Sequence, residues 1–111
     1  MSSTVELLKS AKDVILQYGW VQGTQGDRES GFCATGAIWE AAGYRVPSGL
    51  SDVARWQVLV EAQAAESVLF DVLRNLLIGP RVFNDTIGRT KEEVLALFDT
   101  AIARAETKES V

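Results

Sequence analysis

The sequence predicts an all-α fold, a compact single domain of about five helices around a buried central helix. Three observations predict it. Apolar residues recur at helical spacing near both ends of the chain, a long apolar run from Ala65 to Ile78 carries no strand punctuation, and no β-branched segment alternates apolar with polar residues. A chain of 111 residues with 47% hydrophobic content suits one core, so residues 1–111 read as a single helical domain.

From Thr4 to Tyr18, Leu7, Ala11, Val14 and Tyr18 follow at spacings of four, three and four, with Leu8 and Ile15 widening the stripe. That is an amphipathic helix, and Gly19 stands where a helix C-terminus places glycine. Trp20 to Gly31 holds Gly23, Gly26 and Gly31 among polar residues and reads as a long flexible surface loop. Phe32 to Ala42 predicts a short buried helix interrupted by Gly36 and closed by Gly43, with Trp39 inside.

Tyr44 to Leu50, with Pro47 and Gly49, is a connector, and Ser48 or Ser51 is placed to cap the next helix. Val53, Trp56, Leu59 and Val60 offer the apolar face of that helix, and Val68, Leu69, Val72, Leu73, Leu76 and Leu77 predict a central buried one. Glu61 to Glu66 contains no breaker, which leaves open whether residues 51–78 form one helix or two. Gly79-Pro80 stops that element. The last helix, Lys91 to Glu106, repeats the four, three, four spacing at Val94, Phe98, Ala101 and Ala105, with Leu95 and Ile102 alongside and a frayed tail at about 107–111. Thr90 and Glu93 form the spacing of a capping box.

The chain has no histidine and one cysteine, Cys33. His-dependent triads, His general acid/base chemistry, zinc sites with His ligands and cysteine-only zinc sites are therefore closed to a single chain. The glycine loop follows a helix, lacks a Gly-Lys-Ser/Thr ending and matches no nucleotide fingerprint, nor does it have EF-hand spacing. No cofactor and no metal is expected. Eleven basic residues scattered among fifteen acids, net charge -4, argue against a nucleic-acid partner, although Arg81, Arg89 and Lys91 cluster. No apolar run approaches the roughly 18 residues of a membrane span, and Glu6, Lys9 and Lys12 interrupt the first turns where a secretory signal would be apolar. The expectation is a cytoplasmic protein without a membrane partner.

Phe83 to Thr90 is the most specific polar segment. Asn84 and Asp85 are turn-forming residues suited to tie this turn to the glycine loop, with Gly88 supplying the bend. Trp20, next to that loop, is placed to line a groove with Tyr18 or Phe83.

Three separated pieces, Gly19-Trp20 with Gln22-Gly23, Phe32-Cys33 with Gly36-Ala37, and Phe83-Asn84-Asp85 with Gly88-Arg89-Thr90 and Glu93-Val94, resemble a family of small uncharacterised proteins of actinobacteria and their phages. Its members usually read Gly-Trp-x-Gln-Gly, aromatic-Cys-x-x-Gly-Ala and Trp-Asn-Asp-x-x-Gly-Arg-Thr before a Glu-Val-Leu helix. This chain departs at Phe83, where tryptophan is common. The resemblance implies a compact helical domain and, for a short free-standing member, a phage origin with the host cytoplasm as its setting.

The leading expectation is a non-enzymatic protein that binds a host protein, with Trp20, Gln22, Asn84, Asp85 and Arg89 as the candidate binding surface and no catalytic residue. A second reading, a small hydrolase or transferase, uses Asp85 and Asn84 with Cys33 and requires them to converge on an open cleft beside Trp20. A third is a self-associating structural protein, a homo-oligomer with an apolar patch on an outer helix.

Overall fold

The computed structural model of the chain describes residues 3–43 and 52–109. Helix α1 spans Thr4–Tyr18, and a two-stranded antiparallel ladder follows, β1 Gly26–Asp27 and β2 Gly31–Phe32. Next come α2 Ala34–Ala42, α3 Asp52–Val72, a 3-10 turn Arg74–Leu76, α4 Pro80–Asp85 and α5 Lys91–Glu109. The domain is mostly helical, with five α-helices among the described residues.

Helix α1 starts where Ser3 Oγ accepts from the Glu6 amide at 3.1 Å and ends where the Gly19 amide reaches Ile15 O. Its stripe Leu7, Leu8, Ala11 and Ile15 is buried, and it packs against α2, α3 and α5. Helix α5 answers with Val94, Leu97, Phe98, Ala101 and Ala105. Its capping box is reciprocal: Glu93 N donates to Thr90 Oγ1 at 3.2 Å and Thr90 N to Glu93 Oε1 at 2.9 Å. The helix runs through Glu109, past the expected fraying point at Thr107.

The count of five arises differently from the expectation. Residues 52–72 form one helix, and a short helix, α4, takes the place of the second. Pro80 begins α4 instead of merely stopping what precedes it, since a proline at the first helical position gives up an amide that has no partner there. Asn84 and Asp85 are thus the last residues of a helix, not loop residues.

The run from Ala65 to Ile78 is not helical throughout. Ala65, Val68, Leu69 and Leu73 are buried, but α3 ends at Val72 and Leu76 and Leu77 are exposed. No glycine or proline marks the stop. Leu77 adopts the left-handed conformation (φ 57°) that usually belongs to glycine, and its amide closes the turn on Arg74 O. The helical part of this run nonetheless holds the expected central position, since α3 packs against α1, α2, α4 and α5, while α1 packs against α2, α3 and α5. Val53, Trp56 and Val60, expected to face the core, are exposed, and Trp39 is half-buried. The connector at 44–50 and the caps at Ser48 and Ser51 lie outside the described residues.

The glycine segment is ordered by backbone pairing. Phe32 N donates to Gly19 O, Val21 N to Phe32 O, and Cys33 N to Gln25 O, so residues 19–33 fold back upon themselves. Gly31 sits at φ 100° with the Gly19 carbonyl where a Cβ would be, 2.6–2.7 Å away. Its role is close approach, not the flexibility that composition suggested. Gly36 does not interrupt α2 either: its missing side chain admits Gln25 O, which would lie 2.1 Å from a Cβ.

Candidate functional site

Asn84, at the end of α4, is the one polar side chain buried in the core among the described residues, with 0% exposure. Its Oδ1 accepts from Trp20 Nε1 at 2.6 Å and from the Ala34 amide at 3.0 Å. Its Nδ2 donates to Val21 O at 3.0 Å and to Asp85 Oδ1 at 2.9 Å. All four hydrogen-bonding positions of the amide are filled, which fixes its orientation and removes the penalty of burying it.

The neighbouring residues extend this junction. Asp85 Oδ1 also accepts from the Gly23 amide at 3.0 Å, and Gln22 Nε2 bridges Asn84 O and Thr86 O, each at 2.9 Å. Arg89 donates from Nε to Phe83 O at 2.9 Å, stacks its guanidinium 3.7 Å from the centre of the Phe83 ring, and reaches Glu93 Oε2 at 3.1 Å. The structure therefore brings all five expected residues, Trp20, Gln22, Asn84, Asp85 and Arg89, into one cluster. Asn84 spends all its polar groups inside the protein, and Gln22 and Asp85, though exposed, each spend one polar atom there. They join the Trp20–Gly23 segment, the start of α2 and the α4–α5 turn.

Cys33 caps α2. Its Sγ accepts from the Gly36 amide at 3.2 Å, lies 3.3 Å from Thr35 Oγ1, and is 1% exposed. The hydrolase or transferase reading needs Cys33, Asn84 and Asp85 on an open cleft. Here Asn84 and Asp85 instead turn to backbone groups of residues 21–34, and Cys33 is closed to solvent.

Two hollows, both lined by Phe70, lie among the described residues. One, of about 530 Å³, is enclosed by Thr35 and Trp39 of α2, Glu66 and Phe70 of α3, and Pro80 and Arg81 of α4. Trp39 Nε1 donates to Glu66 Oε1 there. Burial pushes the Glu66 carboxyl above its usual range, against the opposing pull of that hydrogen bond and of the Arg81 charge. The other hollow, of about 410 Å³, runs from Ser67 and Asp71 to Leu77 and Ile78. Phe70 is 53% exposed between them, and Leu77 is 91% exposed at the turn.

These residues escaped sequence reading because Phe70, Leu76 and Leu77 look identical to core residues in an apolar helical run. Arg81 was noted in the sequence only as part of a basic cluster with Arg89 and Lys91. Among the described residues, no helix is long and apolar enough to cross a membrane, and no group of three or more Cys, Asp or Glu side chains is arranged to hold a metal ion.

The fold and the Asn84 junction define a small, mostly α-helical single domain pinned by a buried polar knot. The sequence profile of DUF6197, a family of unknown function, matches residues 1–104, and the chain belongs to that family. Neither a curated protein nor a solved structure gives a significant match.

Proposed function

We propose that this chain is a non-enzymatic binding protein that engages a protein partner through the surface around Phe70 and Leu77. The observation that carries this reading is Leu77, a large apolar side chain exposed to 91% and held at a positive φ, on the edge of a hollow. An exposed leucine in the left-handed region costs about 1–2 kcal/mol that a glycine would avoid, so something other than stability accounts for it. Phe70, Leu76 and Val82, each more than half exposed, supply further apolar surface in the same part of the chain.

The occupant we commit to is a different protein, offering apolar side chains flanked by carboxylates. Arg74 and Arg81 border the two hollows. In two copies meeting symmetrically through this face, those arginines would need Glu66 or Asp71 of the other copy, and within the chain Glu66 is already bonded to Trp39 and Asp71 to Arg74 and Arg104. The three sequence pieces that resemble actinobacterial and phage proteins favour a phage-encoded or actinobacterial origin and, in the phage case, a host protein as partner.

The test is photo-crosslinking in the native cell from a probe at position 76, beside the exposed Leu77, with Leu77→Ser, Phe70→Ser, Arg81→Glu and, on α1, Leu16→Ser compared for retention of the crosslinked partner. The expected result is one acidic partner, retained by Leu16→Ser, lost with Leu77→Ser and Phe70→Ser, and weakened by Arg81→Glu. Retention by all four variants overturns the proposal. So does a crosslink to a second copy of this chain, accompanied by a concentration-dependent mass.

A further inference from the structure

The cavity on the Trp39 side of Phe70 has a chemistry that apolar docking does not use. Among the described residues, its wall carries one carboxylate, Glu66, and one guanidinium, Arg81. They are close enough for Arg81 to bias Glu66 electrostatically, yet no ion pair within 4.0 Å joins them, and Trp39 is the hydrogen-bond donor to Glu66 among the described residues. Two opposite charges therefore share one hollow without neutralising each other. The same hollow is lined by the rings of Trp39 and Phe70 and by Pro80, and Thr35 adds a hydroxyl.

A guest bearing one charge fits this wall poorly. A simple cation would satisfy Glu66 but face Arg81, and a simple anion would satisfy Arg81 but face the half-buried carboxylate. A guest carrying both signs satisfies both at once. Its ammonium would offset the desolvation of Glu66 and lie near aromatic faces that favour cations, while an apolar side chain covers those faces. The volume, about 530 Å³, falls within the range of small-molecule sites, roughly 300–1,000 Å³.

We infer that this cavity binds a free α-amino acid with an apolar or aromatic side chain, its ammonium on Glu66, its carboxylate on Arg81 and its side chain between Trp39 and Phe70. This site goes beyond the protein-partner reading but shares Phe70 and Arg81 with that surface, whereas Trp39 and Glu66 belong to the cavity, so Glu66→Gln and the Trp39 resonance separate a failure of this inference from a failure of that one.

The test is titration calorimetry of the purified full chain with L-phenylalanine and L-leucine, set against phenethylamine and 3-phenylpropionate, which each lack one of the two charges. The Trp39 indole N–H resonance is followed in parallel to locate the site. Saturable binding of at least one amino acid is expected at ligand concentrations up to about 10 mM, with each single-charge analogue at least about tenfold weaker. Glu66→Gln and Arg81→Gln should each weaken it by about tenfold or more. Absence of binding overturns the inference, as does equal binding of a single-charge analogue, an unmoved Trp39 resonance, or unchanged affinity in both variants. Arg81 is exposed, so Arg81→Gln decides the matter if Glu66→Gln fails to fold.

Discussion

Trp20 Nε1 donates a 2.6 Å hydrogen bond to Asn84 Oδ1 across a sequence separation of 64 residues. The same oxygen receives the Ala34 amide, so one carboxamide joins the segment after α1, the first turn of α2 and the end of α4. Long-range closure of this kind is entropically expensive, and full satisfaction of a buried amide is what makes it hold.

Asn84→Ala should therefore be among the most damaging single substitutions in the chain. It strands an indole N–H, a backbone N–H and a carbonyl, and a loss of about 2–5 kcal/mol is expected in urea unfolding. Asp85→Ala removes one partner of an exposed amide, Gly23 N, and one of Asn84 Nδ2. It should cost about 1 kcal/mol. Equal effects of the two would contradict a junction centred on Asn84.

Gly36→Ala should destabilise by about 1–3 kcal/mol, because the added methyl meets backbone, Gln25 O at 2.1 Å, and not a side chain that can swing aside. Gly88→Ala meets open space but keeps φ 85°, so about 1–2 kcal/mol of conformational strain is expected. Thermal unfolding would separate them further: a second substitution shortening Gln25 cannot rescue Gly36→Ala, since the clash is with its main chain.

Leu77→Gly should leave stability unchanged or raise it by up to about 1 kcal/mol, since glycine adopts a left-handed turn without a Cβ penalty. The same change should abolish partner crosslinking. A clear loss of stability in denaturant would show that Leu77 serves the fold, and the proposed surface would then lose its main support.

Acid should weaken the fold in a definable way. Asp71 is held below the usual carboxylate range by its hydrogen bond from Arg104, with the Lys108, Arg104 and Arg74 charges adding to it. Glu93 is lowered first by the Thr90 amide. Both groups bind protons more weakly folded than unfolded, so the stability they contribute is present above their unfolded pKa values, about 4, and is lost as pH falls through the lower folded values. The melting temperature should decline below about pH 4, and Asp71→Asn should flatten that decline. An unaltered acid limb in Asp71→Asn would remove the Arg104 tie from the account.

Native Cys33 should react with a thiol reagent at the rate at which the protein opens, and rapidly in denaturant, because its sulfur is buried against the Gly36 amide. Cys33→Ser should fold well, since serine is a favoured cap for the same amide. Fast native labelling would reopen the nucleophile reading.

Local chemistry made much of this protein legible from sequence. The stripes of α1 and α5 and the Thr90–Glu93 box each depend on residues within a few positions of one another, so spacing alone fixed them. The Asn84–Asp85 tie to the glycine segment was also legible, because paired turn-formers and glycines in separate polar stretches have few other uses. What spacing could not supply was which face of an apolar helix finds a neighbour. Leu69 and Phe70 are adjacent and equally apolar, yet one is fully buried and the other half exposed. Nor could it bring Glu66, Trp39 and Arg81 to one cavity, for they belong to three different helices. Periodicity determined α1 and α5, and tertiary packing decided which apolar surface stayed open, because burial is a property of neighbours and sequence distance does not measure it.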